Sequence, residues 1–344
     1  MCYNIQDLEV AMANSKKKHM SIKKKKILIV VLSVILVLIV GGIVGFNLYA
    51  DSLLNRMNKT ENIVGSNVNA NEIESNVDNI ILLGIDNDAG TTIKRSDVMK
   101  LVSLDFDNKK LKITSLQRDN LVYHPMQDKY DKLNHGYRDN GVMGAISTIN
   151  YNFDLDVTKY VLFDFSSVVE IIDILGGVTI TLSDSEASIL GIGYGGTYIL
   201  NGKEALAYSR IRSIDSDYER MQRQNNVINS LISSFMSKSP FELLDVVNQV
   251  LPYIETNIPN STIKNYLTSV LGFDLGNIEQ YQFPKDGYDS ILSTLYLYGY
   301  GPHYVLKDFS GEVELLHKQI YGKEYHASNK VLEVEKETLK MAGY

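Results

Sequence analysis

The chain is almost without cysteine: a single one, Cys2, stands ahead of a long apolar run. No disulfide can form within it, and the Cys-His spacing of a structural zinc site is absent. It also lacks a net basic charge. The formal charge of −7 divides unevenly, because residues 1–26 hold seven lysines against Asp7 and Glu9, which is +5 and leaves −12 for the rest. Such a body excludes nucleic acid as a general partner, since phosphate-backbone binding needs a net basic surface. There is no internal repeat. Arginine is scarce as well, eight of 34 basic side chains, and none occurs from Gln224 to Tyr344. What is present is ordinary: 44% hydrophobic and 22% charged residues, enough over 344 residues for one large core or two smaller ones.

One stretch has no charge at all. Ile27 to Ala50 is a run of 24 residues dominated by Ile, Leu and Val, directly after Lys23–Lys26. At 1.5 Å per residue a helix of this length exceeds the roughly 30 Å hydrocarbon thickness of a bilayer. It is longer than the ~7–15 residue apolar region of a cleaved signal peptide, and it has no polar face to suit a buried core helix. The reading is a transmembrane signal anchor at 27–50, with a basic tail at 1–26 kept in the cytoplasm by the positive-inside rule. The body then lies outside the cell, on the far side of the cytoplasmic membrane. Residues 51–77, rich in Asn and without apolar periodicity, read as an extracellular stalk.

Beyond the stalk, strand-like and helix-like segments alternate. Asp78–Ile85 is an apolar strand, and Val98–Phe106 and Leu111–Leu116 flank a turn at Asp107-Asn108 as a hairpin. Helical spacing covers Gly141–Tyr151. Tyr160–Phe165 reads as a strand, Ser166 as an N-cap, Val168–Leu175 as a helix stopped by Gly176-Gly177, and Val178–Leu182 as a strand. A long helix is expected over Tyr218–Met236, then helices at Phe241–Leu251 and Ser261–Leu271, a strand at Ile278–Phe283 and a helix near Gly301–Tyr321. This predicts an α/β fold, a mixed central sheet with helices on both faces. Residues 78–236 carry the chemistry, and residues 237–344 complete the same domain.

Four of the eight arginines fall between positions 210 and 223. A solvated face would be served by lysine; arginine matters where a planar, forked, permanently charged donor meets oxyanions. Arg210 and Arg212 share a face in an extended segment, and Arg220, Arg223 and Gln224 share one on a helix, so the group is suited to a phosphate pocket. The competing reading pairs these arginines with Asp215, Asp217 and Glu219 at the surface. Asp86 ends the first strand, Arg95-Ser96-Asp97 opens the second, and Arg118-Asp119 closes the third. Carboxylates at adjacent strand ends suit a hard divalent cation that takes its other ligands from phosphate and water. Lys132-Leu133-Asn134-His135 forms a further polar patch.

These segments, in this order, resemble the LytR-CpsA-Psr family of bacterial cell-envelope proteins. The resemblance starts at Asn79–Asp86, runs through Arg95-Ser96-Asp97, Arg118-Asp119, Lys132–His135 and Leu175–Val178, and is most specific at Leu200–Arg212, followed by Asp217, Arg220 and Arg223-Gln224. It implies an enzyme, a phosphotransferase that moves a glycopolymer, of teichoic acid or capsular type, with its proximal phosphate from polyprenyl pyrophosphate to peptidoglycan. The polyprenyl tail would lie in a hydrophobic channel. It further implies that Asp86 and Asp97 hold magnesium (or manganese), that Arg118, Arg212, Arg220 and Gln224 grip the pyrophosphate with Arg95, Arg210 and Arg223 around them, and that Asp97 or Asp119 takes the acceptor's proton. Catalytic roles therefore fall on Arg118, Asp97 and Asp119. Gln117 stands where the family usually has proline, Val98 where it has threonine, and Lys100 where an apolar residue is common. A non-catalytic polyprenyl-pyrophosphate sensor and a hydrolytic pyrophosphatase are the alternatives.

Overall fold

The computed structural model describes residues 47–63, 65–86, 95–211, 214, 217–274 and 276–344. The apolar run at 27–50 lies outside the described residues up to position 46; among the described residues no helix is long and apolar enough to cross a membrane. Residues 47–52, the described end of one unit, are helical; residues 53–344 make up the other unit.

That second unit opens with a two-residue strand, β1 (Asn58–Lys59), followed by the long strands β2 (Val77–Asp86), β3 (Arg95–Asp105) and β4 (Lys110–Leu116). The β3–β4 turn is held by Asp105, whose Oδ1 accepts from the Asn108 amide at 2.9 Å. A small hairpin, β5 (Leu121–His124) and β6 (Lys129–Lys132), leads into α1 (His135–Phe153), and β7 (Lys159–Asp164) returns to the sheet. The next helix, α2 (Phe165–Leu175), is capped by Asp164, which accepts from the Ser167 amide, not by Ser166. A second hairpin, β8 (Val178–Leu182) with β9 (Gly196–Leu200), encloses α3 (Asp184–Leu190). Then come α4 (Gly202–Arg210), α5 (Asp217–Met236), α6 (Pro240–Val250), β10 (Glu255–Thr256), α7 (Asn260–Val270) and β11 (Glu279–Phe283). The chain finishes with the hairpin β12 (Ile291–Tyr296) and β13 (Pro302–Leu306), then α8 (Phe309–Tyr321) and α9 (Asn329–Met341). The helix expected near 301–321 is thus a strand and a helix, separated at Asp308, which caps α8 by accepting from the Gly311 amide at 2.9 Å.

Seven strands form the central sheet in the order β1-β10-β7-β2-β3-β4-β11. β2, β3 and β4 are antiparallel neighbours, while β7 runs parallel to β2 and β11 parallel to β4. The sheet is mixed, as the hairpin in the sequence requires, and β10 and β11 come from beyond residue 237.

Alternation along the strands sorts side chains onto two faces. On one face Ile81, Leu83, Met99 and Leu101 pack with Ile146 and Phe153 of α1, Val313 and Leu316 of α8, and Val331 of α9. The other face is covered unevenly. At one end Ile80 and Leu104 are sealed by Ile258 and by Ile263, Tyr266 and Val270, the last three on α7. Nearer the middle, Leu82, Val102, Ile113, Val161 and Phe163 remain only partly buried although they sit on central strands. Fully burying an aliphatic or aromatic side chain is worth about 1.5–3 kcal/mol, so this apolar strip forgoes stability that the opposite face collects.

Candidate functional site

The candidate site lies at strand ends along one side of the sheet. Asp86 closes β2 with its Cα opposite that of Arg95 at the start of β3. Ile85 then pairs with Ser96, and Gly84 with Val98, so Asp97 is an extra residue, a β-bulge that re-aims its side chain. Glycine is required at 84: a Cβ there would lie 2.9 Å from Val98 Cβ and 3.0 Å from the Phe163 ring.

Asp97, Arg118, Asp119 and Lys132 form a chain of alternating charge. Arg118 donates from Nη1 to Asp97 Oδ1 and from Nε to Asp119 Oδ2 at 3.2 Å. Asp119 Oδ1 accepts from Lys132 Nζ at 2.8 Å. Backbone bonds fix this arrangement from several elements: Gln117 N to Phe283 O at 2.9 Å, Asn134 N to Arg118 O at 3.1 Å, and Tyr304 N to Asp119 O at 2.9 Å. Asp97, Lys100, Ser115, Gln117, Arg118 and Gln224 line one small pocket of about 10 Å³. A larger cavity of about 340 Å³, lined by Glu61, Tyr160, Met143 and their neighbours, contains no cationic side chain.

The arginines separate into distinct settings. Arg95 stacks its guanidinium over Tyr300, 5.7 Å from the ring centroid, and its Nε is buried without a hydrogen-bond partner. A buried donor left unmade costs about 1–3 kcal/mol, and its position beside Asp86 and Asp97 suits an arriving anion. Arg210 is exposed at the last turn of α4, so it belongs to a helix end and not to an extended segment. The reason is local: Asn201 and Glu204 form a reciprocal capping box that starts a helix at Gly202. Arg212 lies outside the described residues, and Arg220 sits in the first turn of α5. Arg223 is turned inward and only 3% exposed, donating to Ile211 O at 2.8 Å and Glu186 Oε1 at 3.3 Å. It is not among the residues lining the pocket, whereas Gln224, one position on, is.

Nothing in the sequence pattern singles out Asp131, yet it organises the neighbouring loops. It is wholly buried. Its Oδ1 accepts from the Lys132 amide at 2.8 Å, His135 Nδ1 at 2.7 Å and His303 Nε2 at 3.0 Å, and its Oδ2 from Arg138 Nη2 at 3.1 Å. Burial by itself would raise its pKa, but the hydrogen bonds from His135 and His303 outweigh that and hold it well below the usual carboxylate range. Burial lowers the pKa of His135 against the pull of Asp131. Arg138 in turn stacks on Tyr300 at 4.6 Å, so one ring lies under both Arg138 and Arg95 and joins this hub to the strand-end site.

Among the described residues no group of three His, Cys, Asp or Glu is placed to hold a metal. Asp86 and Asp97 supply two carboxylates at facing strand ends. Two hard oxygen donors suit magnesium, which keeps waters and takes phosphate oxygens rather than a full protein cage.

Comparison with known proteins follows the same lines. The model of the LytR_cpsA_psr family matches residues 46–307. A polyisoprenyl-teichoic acid–peptidoglycan teichoic acid transferase, TagU of Bacillus cereus, is 31% identical over 277 residues, covering 76% of this chain and 88% of the relative. Biofilm regulatory protein A of Streptococcus mutans is 30% identical over 278 residues, covering 73% of this chain and 68% of the relative. The crystal structure of protein gbs0355 from Streptococcus agalactiae superposes with a TM-score of 0.58 at 24% identity, covering 73% of this chain and 90% of that one. The chain belongs to the LytR-CpsA-Psr family.

Proposed function

We propose that the chain is a membrane-anchored phosphotransferase that moves a glycopolymer, with its proximal phosphate, from polyprenyl pyrophosphate to peptidoglycan outside the cell. The observation that carries this reading is the Asp97–Arg118–Asp119–Lys132 charge chain, of which Asp97 and Arg118 line one pocket with Gln224, on a sheet whose other face carries a partly buried apolar strip. The strip suits a polyprenyl tail. The guanidinium of Arg118 already donates to two carboxylates, and a pyrophosphate offers equivalent oxygens, so substrate entry exchanges partners instead of stripping water from a bare cation. Arg95, with its buried Nε, adds a second fork at the same edge. Asp86 and Asp97 would hold magnesium, which neutralises pyrophosphate charge when bound. The acceptor hydroxyl loses its proton to Asp97 or Asp119, the carboxylates flanking Arg118. The name of the Bacillus cereus relative, a teichoic acid transferase acting on peptidoglycan, supports the same substrate classes.

The test uses the full-length chain in detergent with magnesium, a lipid-pyrophosphate-linked disaccharide and peptidoglycan fragments, with products followed by mass spectrometry. A phosphodiester-linked adduct is expected, reduced about 10²–10³-fold by Arg118→Ala, the usual scale for losing one charge-stabilising donor. The regulatory name of the Streptococcus mutans relative favours a second reading, a sensor that grips the lipid pyrophosphate without turnover. Tight lipid binding with neither adduct nor free sugar phosphate would establish that reading instead.

A further inference from the structure

Among the described residues three lysines are buried, and two of them have carboxylate partners. Lys112 meets Asp105 Oδ2 at 2.8 Å, and Lys132 meets Asp119 Oδ1 at 2.8 Å. Lys100, 3% exposed in the middle of β3, has none among the described residues. Its ammonium donates to Ser115 Oγ on β4 at 2.7 Å and to Asn225 Oδ1 on α5 at 2.5 Å, both neutral acceptors. A buried cation without a counter-charge costs several kcal/mol. Burial brings its pKa down to about 8, which leaves it mostly protonated at neutral pH.

Its place in the sheet indicates what could balance it. Lys100 lines the same pocket as Arg118 and Gln224. It lies on the face that carries the partly buried strip of Leu82, Val102, Ile113 and Phe163, whereas Asp86, Arg95 and Arg118 stand at the strand ends. In the register Lys100 is level with Leu82, while Val102 and Ile113 lie farther from the charged edge and Phe163 lies nearer to it. An amphiphile with its tail on the strip and its charged head at the edge would pass over it.

We propose that Lys100 binds the lipid-side phosphate of the substrate pyrophosphate, with Ser115 and Asn225 holding its ammonium in position until that phosphate arrives. This rests on the transferase reading above and adds a residue that discriminates phosphorylated from neutral lipid. In the transfer, the acceptor oxygen forms a bond to the sugar-side phosphorus as the bond from that phosphorus to the bridging oxygen breaks. The bridging oxygen leaves with the lipid phosphate, which gains a negative charge, and the acceptor's proton goes to a carboxylate at the strand ends. Lys100 faces the departing phosphate and offsets the charge it acquires.

The test measures binding of geranylgeranyl pyrophosphate, geranylgeranyl monophosphate and geranylgeraniol to the full-length chain in detergent. Lys100→Met is expected to weaken both phosphorylated ligands about 10- to 100-fold, the worth of a hydrogen bond to a charged group. The alcohol should bind as before, and Lys100→Arg should restore most of the loss. Should the methionine variant fail to fold, Lys100→Gln, which keeps amide donors without the charge, replaces it. A folded variant that binds both phosphates like wild type overturns the proposal, as does one that weakens the alcohol in equal proportion. If Arg118→Ala loses the pyrophosphate while Lys100→Met does not, the Lys100 assignment alone is refuted. If the wild-type chain does not distinguish pyrophosphate from alcohol, the transferase reading falls with it.

Discussion

Replacing Asp131 by alanine tests whether the loops around the strand-end site are held by one carboxylate. In the native chain this group accepts from the Lys132 amide, His135, His303 and Arg138, with Lys129 Nζ a further 3.3 Å away. Alanine removes every one of these acceptors at once and leaves Arg138 and Lys129 with Asp139 as their remaining shared counter-charge. Breaking a buried pair by deleting one partner costs about 3–5 kcal/mol. At about 2–4 °C per kcal/mol for a domain of this order of size, the thermal transition should fall on the order of 10 °C, as read by circular dichroism. Asp131→Asn keeps the shape and one acceptor oxygen but turns an amide donor toward other donors, so it should fall in between. The carboxyl is held well below its ordinary pKa in the folded state. A depressed folded pKa contributes stability that is present above the unfolded value and lost only as pH falls through the folded one. The gap between wild type and Asp131→Asn should therefore persist from neutral pH to about pH 5. An alanine variant melting within about 2 °C of wild type would mean that the hub contributes less than ~1 kcal/mol, and the reasoning would fail.

Three further outcomes are expected. His124 is buried, and burial lowers its pKa to about 4 from 6.5, so the unfolded chain binds the proton first and stability should drop by about 3 kcal/mol as pH falls from about 6.5 to 4; urea midpoints across that range should show it, and His124→Gln should flatten the slope. At Gly202 a Cβ would lie 2.2 Å from the backbone oxygen of Val169, which cannot rotate away, so Gly202→Ala should force α4 off α2 and cost about 1–3 kcal/mol by denaturant titration. Chelation by EDTA should abolish adduct formation in the transfer assay, with magnesium restoring it and the thermal transition unchanged.

The sheet was readable in the sequence wherever strands were long and apolar. Val178–Leu182 matches its expected bounds, and the Asp107-Asn108 turn is where the hairpin reverses. Short polar-flanked pairs such as Leu121–His124 with Lys129–Lys132 carry too few alternations to be recognised. Gly301-Pro302-His303-Tyr304-Val305 held a strand signal, but the helical spacing that begins at Phe309 obscured it. Of the site, Asp97, Arg118, Asp119 and Gln224 are brought together, because each sits at a strand end or on the helix beside it. Arg223 illustrates the limit: helical spacing places it beside Gln224, but one step around a helix turned it into Glu186 and the Ile211 carbonyl. Asp131 was invisible because its partners His135 and His303 are 168 residues apart, and only folding brings them to one oxygen.

The two-residue strand β1 has a mechanical meaning. It runs parallel to β10 at the edge of the sheet, and the adjoining contacts reinforce it: Lys59 Nζ donates to Ile258 O at 2.6 Å, and Thr60 Oγ1 shares a hydrogen bond with Tyr160 Oη at 2.8 Å. A pull on β1 along its own axis would load these bonds together in shear instead of peeling them one at a time. In the sheet, β10, β7 and β2 lie between this point and β3, which carries Asp97. Loss of β1 would therefore open the sheet three strands away from Asp97 and leave the β2–β3 register in place.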